Sequence, residues 1–270
     1  MIFVRDKGRM CNNILQYGHV YAWAREHGRS SMSMRFAYKY PYFHICDTRW
    51  HNFFVYVFAK YAAKTGLLPV VSFNKPGGDT TAGEAFMADH KNVVVEGWYV
   101  QFPSLFLKYK GDIVRLFSFH DNIRRKADAL VASYGGCVKL GVHIRRGDYA
   151  RWQDGRYFFS DSQYIHVIRQ FVDLHPGSDV HVFICGNDPS LDRNAYRQAL
   201  GTDHVSFPEG NPGEDLCLLS RMDALIGPPS TFSLVASMYR NVPLYWIMDA
   251  GRPLEKRSFK HFDDLFTHLI

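Results

Sequence analysis

Cys137-Val138-Lys139-Leu140-Gly141-Val142-His143-Ile144-Arg145-Arg146-Gly147-Asp148-Tyr149 is an apolar run that ends abruptly in two arginines, a glycine and an aspartate. A strand that carries its charges just past its C-terminal end is how an open α/β sheet presents a ligand site. The sequence downstream keeps the same rhythm: helix over 161–174, strand 180–184, helix 189–200, strand 204–207, helix 213–221, strand 224–226, helix 231–240 and strand 244–247. Strands alternating with helices of about 10–15 residues imply parallel sheets covered on both faces. Upstream, a short buried strand at 1–4 leads through the polar loop 5–12 into a helix over 13–27 that Gly28 ends. A strand near 31–36 and strands at 70–73 and 92–96 follow, with Pro76, Gly77 and Gly78 breaking the loop between the last two. The ring-rich segment 38–61 fits no single period. An amphipathic stretch at 120–134 closes on Gly135-Gly136, which divides the chain into domains 1–135 and 136–270. The expected fold is α/β, two Rossmann-like parallel-sheet domains facing a cleft, with ligands at the carboxyl ends of the strands.

Composition narrows the class. The 270 residues allow two domains at roughly 150 residues each, and 47% hydrophobic with 21% charged residues is ordinary for a globular chain. The longest apolar run, 53–59, is far short of the roughly 20 residues of a membrane-spanning helix. Arg5 interrupts the N-terminus before a secretory apolar segment develops, so the expected location is cytoplasmic. Five cysteines at least 32 positions apart read as reduced packing residues. The net charge of +6 without any block of five like charges favours a small anionic ligand over a nucleic acid.

Several constellations carry chemistry. The planar fork of an arginine matches phosphate oxygens and stays charged, so Arg145 or Arg146 at a strand end suits a pyrophosphate; either one equally suits a structural brace to a carboxylate such as Asp148. Arg146-Gly147-Asp148 is also the adhesion tripeptide, a frequent chance match that a cytoplasmic chain does not use. Gly227-Pro228-Pro229-Ser230-Thr231-Phe232-Ser233 ends a strand and opens a helix, where backbone N–H groups attract anions and a hydroxyl caps the helix. Cys185-Gly186-Asn187-Asp188-Pro189-Ser190 repeats that arrangement, with Asp188 either capping or bonding a nucleoside. The first turn holds one glycine, so it is not the dinucleotide fingerprint. No Walker loop, D-x-D, H-E-x-x-H or G-x-S-x-G occurs, and the 13 histidines are scattered, so no catalytic metal is indicated.

Taken together these segments resemble the family 11 glycosyltransferases, the α-1,2-fucosyltransferases, within the superfamily that includes the α-1,6- and protein O-fucosyltransferases. His143-Ile144-Arg145-Arg146-Gly147-Asp148-Tyr149 is similar to the H-x-R-R-G-D-Y signature. Residues 8–17 resemble the opening G-x-G-N-Q-x-F-Q-Y, Glu96-Gly97-Trp98-Tyr99-Val100-Gln101 the G-Y-x-Q segment, and Glu214-Asp215-Leu216 with Ser220, then Ser230-Thr231-Phe232-Ser233, the closing E-D-L and N-S-T-F-S block. Arg9 and Met10 depart from the glycine-rich turn, Pro229 stands in place of Asn, and Leu234-Val235 replace paired tryptophans.

The resemblance implies a GT-B-like fold, GDP-fucose as donor, a galactose-containing acceptor and inversion without a metal or other cofactor. Domain 1–135 would face the acceptor and domain 136–270 the GDP-sugar. Arg145 would contact the pyrophosphate and stabilise the departing GDP. Arg146 would orient or brace it. His143 and Asp188 would hold the guanosine, Ser230, Thr231, Phe232 and Ser233 would close over the phosphates, and Asn187, Asp215, Asn12 and Gln16 complete the donor set. Asp148 is a weak candidate for the general base. A lipid-linked repeat unit of lipopolysaccharide or capsule, met at the inner membrane face, would be a suitable acceptor. The alternatives are a transferase with another GDP-sugar or linkage, and a non-catalytic nucleotide-sugar-binding protein.

Overall fold

The computed structural model describes residues 1–75, 80–186 and 188–267. The chain divides into two compact units, Met1–His120 and Asp121–Leu269.

In the first unit β1 (Ile2–Arg5) leads into α1 (Met10–Glu26), followed by β2 (Ser31–Ser33), α2 (Phe53–Lys64), β3 (Val70–Ser72), α3 (Thr80–Asp89), β4 (Val93–Glu96), α4 (Pro103–Lys108) and α5 (Lys110–Leu116). The four strands form one parallel sheet in the order β2-β1-β4-β3. Strands β1 and β4 are continuous apolar runs, as expected of a sheet covered on both faces. Helix α1 is buried on nearly every side, with Tyr17 and Trp23 among the largest enclosed side chains, and Trp23 Nε1 donates to Glu84 at 2.6 Å. It begins at Met10, ahead of the expected Asn13, although Arg9 makes no side-chain cap. The second strand stops at Ser33 because Ser33 Oγ turns to Asp6 and accepts from the Phe36 amide at 3.2 Å, bending the chain away from the sheet.

In the second unit come α6 (Asp121–Ala132), β5 (Val138–Ile144), α7 (Asp161–Asp173), β6 (Val180–Gly186), α8 (Arg193–Leu200), β7 (Val205–Ser206), α9 (Pro212–Leu219), β8 (Ala224–Gly227), α10 (Thr231–Arg240), β9 (Leu244–Trp246) and α11 (Phe262–Phe266). Its five strands are parallel in the order β7-β6-β5-β8-β9. The order reverses direction at β5, which places a topological switch point between β5 and β8. Unit 2 begins ahead of α6, whereas the double glycine pointed to a boundary after it. The reason is long-range: α6 packs on α9, and Lys126–Glu214 (2.8 Å) and Arg221–Asp128 (2.7 Å) tie it there.

Candidate active site

The charged end of β5 lies at the switch point of the second sheet, flanked by the ends of β6 and β8. Gly147 takes φ +58°, the left-handed turn that lifts the chain off the strand, and Gly227 at the end of β8 lies so close to β5 that a Cβ there would meet the His143 carbonyl at 3.0 Å.

The two arginines diverge. Arg145 stays at the rim, its side chain 17% exposed, and forks onto Asp148 through Nε (3.1 Å) and Nη2 (2.8 Å), with its guanidinium 5.3 Å from the Tyr149 ring. Arg146 turns inward, its side chain 6% exposed. Nε donates to the Phe159 carbonyl (3.0 Å), Nη1 to Asp188 (3.2 Å) and Nη2 to Asp161 (2.6 Å). Burial alone would weaken its charge, but the Asp161 and Asp188 carboxylates hold it more firmly protonated than a free arginine. Asp161, the first residue of α7, also accepts from Tyr196 Oη at 3.0 Å and from the Asp192 amide at 3.3 Å. Arg146 thus joins the end of β5 to α7, the loop after β6 and, through Asp161, helix α8.

This geometry sorts the residues read from the sequence. Asp188, expected at the guanosine, has both oxygens engaged: Oδ2 with Arg146, and Oδ1 with the Ser190 amide (2.9 Å) and hydroxyl (2.7 Å). Burial opposes its ionisation, but these bonds hold its carboxyl below the usual range. Asn187 lies outside the described residues. Ser230 caps α10, accepting from the Phe232 amide at 3.2 Å. Ser233 is turned inward instead of toward a phosphate: it donates to the Ser230 carbonyl (3.1 Å) and accepts from Trp246 Nε1 (3.3 Å). Thr231 and Phe232 remain half-exposed at the helix start, where backbone N–H groups attract anions. Tyr149 donates its hydroxyl to the Pro229 carbonyl and so links the arginine loop to that helix start. His143 is stacked on Phe232, centroids 4.8 Å apart, with Nδ1 buried and unpartnered among the described residues. Burial, reinforced by Arg145, pushes it down to about 3, so it is neutral. Asp215, in the first turn of α9, is raised to about 7 by burial and by Glu214, against the pull of Lys126.

Asn12 and Gln16 belong to the first unit. Gln16 is buried and clamps the loop after β1, its amide donating to the Lys7 carbonyl (2.6 Å) and accepting from the Lys7 N–H (3.1 Å). The left-handed turn at Gly8 leaves room for the Asn12 amide, which a Cβ at Gly8 would meet at 2.7 Å. Beside them Asp6 accepts from Ser33 Oγ, and His51 Nε2 accepts from the Ser33 amide (2.9 Å), which leaves its proton on Nδ1 for Thr48 (2.6 Å). His44, Asp47 and His120 also converge in this unit, with candidate metal-ligating atoms within 4.8 Å of one another, a surface triad that the scattered histidines of the sequence did not reveal. Asp161 was legible only as a helix start; the Ser160–Gln163 capping box before it is the signal that fixes its position.

Five buried groups set an expected pH profile. Burial raises Asp6 to about 8 and Asp215 to about 7, so above about pH 4 the folded chain holds more protons than the unfolded one, and both groups lose stability as pH rises to those values. Burial lowers His19 and His51 to about 4 and His143 to about 3, so between there and 6.5 the unfolded chain holds more protons and stability rises with pH. Within this set three histidines outnumber two carboxyls below 6.5 and the two carboxyls alone act above it, opposed there by the Met1 ammonium, which burial lowers from its ordinary value. Urea unfolding should therefore show greatest stability near pH 6.5 and an alkaline decline that Asp6→Asn reduces. A profile still rising at pH 8 in both proteins would contradict these assignments.

No family model matches the chain. In sequence it is similar to the galactoside 2-α-L-fucosyltransferase Sec1 of Mus musculus, 23% identical over 266 residues that cover 88% of this chain and 64% of that protein. A galactoside α-(1,2)-fucosyltransferase 2 of Rattus norvegicus is also 23% identical, over 88% of this chain and 66% of its own length. The chain thus spans just under two thirds of these two relatives. In structure it is similar to a mutant of FUT1 from Arabidopsis thaliana in complex with GDP (TM-score 0.64, 14% identity, covering 96% of this chain and 73% of that one). The α-1,6-fucosyltransferase NodZ soaked with GDP-fucose gives a TM-score of 0.52 at 17% identity, covering 96% of this chain and 97% of that one. The chain is therefore similar in sequence to the galactoside α-1,2-fucosyltransferases and carries the GT-B-like, two-sheet α/β fold of the fucosyltransferases.

Proposed function

We propose that this chain is an inverting fucosyltransferase that moves L-fucose from GDP-fucose to a galactose hydroxyl of a glycan, in α-1,2 linkage, with an arginine serving as the cation at the leaving phosphate. The observation that carries this reading is Arg145, a part-exposed guanidinium at the switch point, whose neighbour Tyr149 is bonded to Pro229 just before α10. The second unit would take the nucleotide and the first the acceptor. The acceptor oxygen attacks C1 of fucose opposite GDP, the bond from C1 to the β-phosphate oxygen breaks with its electron pair going to GDP, and the hydroxyl proton passes to solvent water. Negative charge grows on the diphosphate as that bond lengthens, so a fixed guanidinium there stabilises the transition state more than the bound donor. Both Asp148 oxygens accept from Arg145, so we assign Asp148 to aiming that guanidinium and not to removing the proton.

Calorimetric titration of GDP, GDP-fucose and UDP in the presence of a chelator tests the donor assignment. Guanine-selective binding that the chelator leaves unchanged is expected, followed by fucose transfer to β-galactosides with the product linkage read by NMR. Equal binding of UDP, or no nucleotide binding, would overturn the reading.

A further inference from the structure

Helix α2 is built inside out. Its small residues Ala59 and Ala62 are buried against Phe3, Met32 and Met34, with Val55 and Tyr56 half-buried on the same cluster, while four of its rings face solvent: Phe53, Phe54 (84% exposed), Phe58 and Tyr61. Trp50 and Tyr38 beside the helix and Leu67 beyond its end are exposed as well. Scattered exposed apolar residues need no explanation, but a contiguous aromatic ridge marks a surface that is covered in use.

The charge around the ridge says by what. Between residues 35 and 64 the chain carries Arg35, Lys39, Arg49, Lys60 and Lys64 against the single acid Asp47. That acid is occupied by His44 (3.2 Å) and His120 (3.0 Å). The cations lie along the rings themselves: Lys60 is 5.7 Å from the Tyr56 ring and 5.9 Å from that of Tyr61, and Arg49 is 4.8 Å from that of Trp50. A protruding ridge of Phe, Tyr and Trp rimmed by Lys and Arg is complementary to a lipid interface, where rings enter the acyl boundary and the long cationic stems extend to phosphates. A second copy of the chain would bring the same cations against themselves.

We propose that α2 and the residues flanking it form a docking surface for an anionic lipid bilayer, with Phe54 and Phe58 inserting and Lys60 and Lys64 pairing with headgroup phosphates. The inference stands independently of the transfer reaction. The test is flotation of the full chain with vesicles of phosphatidylcholine alone or mixed with phosphatidylglycerol, using the wild type, Phe54→Ser/Phe58→Ser and Lys60→Glu/Lys64→Glu. Thermal unfolding should be nearly unchanged in both variants, because all four side chains are exposed. The wild type should float with the anionic vesicles and less so as salt rises. The lysine reversal should lower that partition at least about tenfold, at roughly fivefold per basic residue near a charged surface. The serine variant should lose binding to the anionic vesicles at every salt concentration. A wild type that stays with the dense fraction in both vesicle types overturns the proposal. So does a vesicle-independent dimer that the serine substitutions dissociate, which would assign the ridge to a second copy.

Discussion

Replacing Arg145 with alanine is expected to lower the turnover of fucose transfer at saturating GDP-fucose by about 10²–10³-fold, the usual cost of removing a preorganised charge stabiliser from a transition state. The size of the effect follows from where the guanidinium is held. Asp148 grips Nε and Nη2, which uses two of five N–H donors and fixes the plane of the fork. The Tyr149 ring lies beside it at 5.3 Å, and the Tyr149 hydroxyl is anchored on Pro229 at the start of α10. Under the proposed function the cation would be aimed before the donor arrives and its interaction would grow as charge moves onto the phosphate, so kcat should fall by more than KM rises. Lysine at this position keeps a charge but not the planar fork, and should recover only part of the loss. Asp148→Asn retains an acceptor for the fork and should stay within about tenfold of wild type, whereas a general base would show a loss of about 10²-fold or more. Because its partner Asp148 is half-exposed and stays solvated, the Arg145 alanine variant should lose far less stability than Arg146→Met. Full turnover in Arg145→Ala would remove this residue from the chemistry.

The strand–helix alternation that leads to this site was legible because each element announces itself locally. Helix α10 was delimited where its Ser230 cap and the break after Arg240 lie, and β5 was plain from a mostly apolar run, interrupted by Lys139 and His143, into the arginines. What local pattern does not carry is partnership across the sheet. Asp161 is adjacent to nothing in the sequence that marks it as the anchor of Arg146, and the two meet only because α7 starts at the edge of the switch point. The same limit displaced the domain boundary, since the double glycine records where α6 stops and not which unit it packs against. Segment 38–61 resisted assignment for a different physical reason. Phe43 is buried against Phe36, Tyr40, Tyr42 and Tyr56 are half-buried, and Tyr38, Trp50, Phe53, Phe54, Phe58 and Tyr61 face outward, so no burial period runs through it. The hydroxyl block 230–233 illustrates the intermediate case: its place at a helix start was legible, but that Ser233 turns inward to Trp246 depends on a strand that comes later in the chain.

Arg146→Met should give the largest loss of stability of any single substitution at this site, about 3–5 kcal/mol, the cost of leaving buried carboxylates without their cation. Arg146 donates to three acceptors, and two of them, Asp161 and Asp188, have side chains only 20% and 13% exposed. Methionine fills much of the volume but supplies no donor, so Asp161 keeps Tyr196 and the Asp192 amide as partners and loses its charge compensation. Lysine should rescue less than half of the loss, because one ammonium cannot span the Phe159 carbonyl and two carboxylates held at different angles by α7 and the loop after β6. Adding Asp161→Asn to Arg146→Met removes one of the stranded charges and should recover part of the deficit, so that the double variant is less destabilised than the sum of the two singles. Urea unfolding of the four proteins measures this directly, and additive losses would mean that the two side chains do not act as a unit. The pattern separates the neighbouring arginines by kind of effect. Substitution of Arg145 should change turnover with a much smaller change in stability, and substitution of Arg146 should change stability first, with any change in turnover following from displacement of the strand end on which Arg145 is carried.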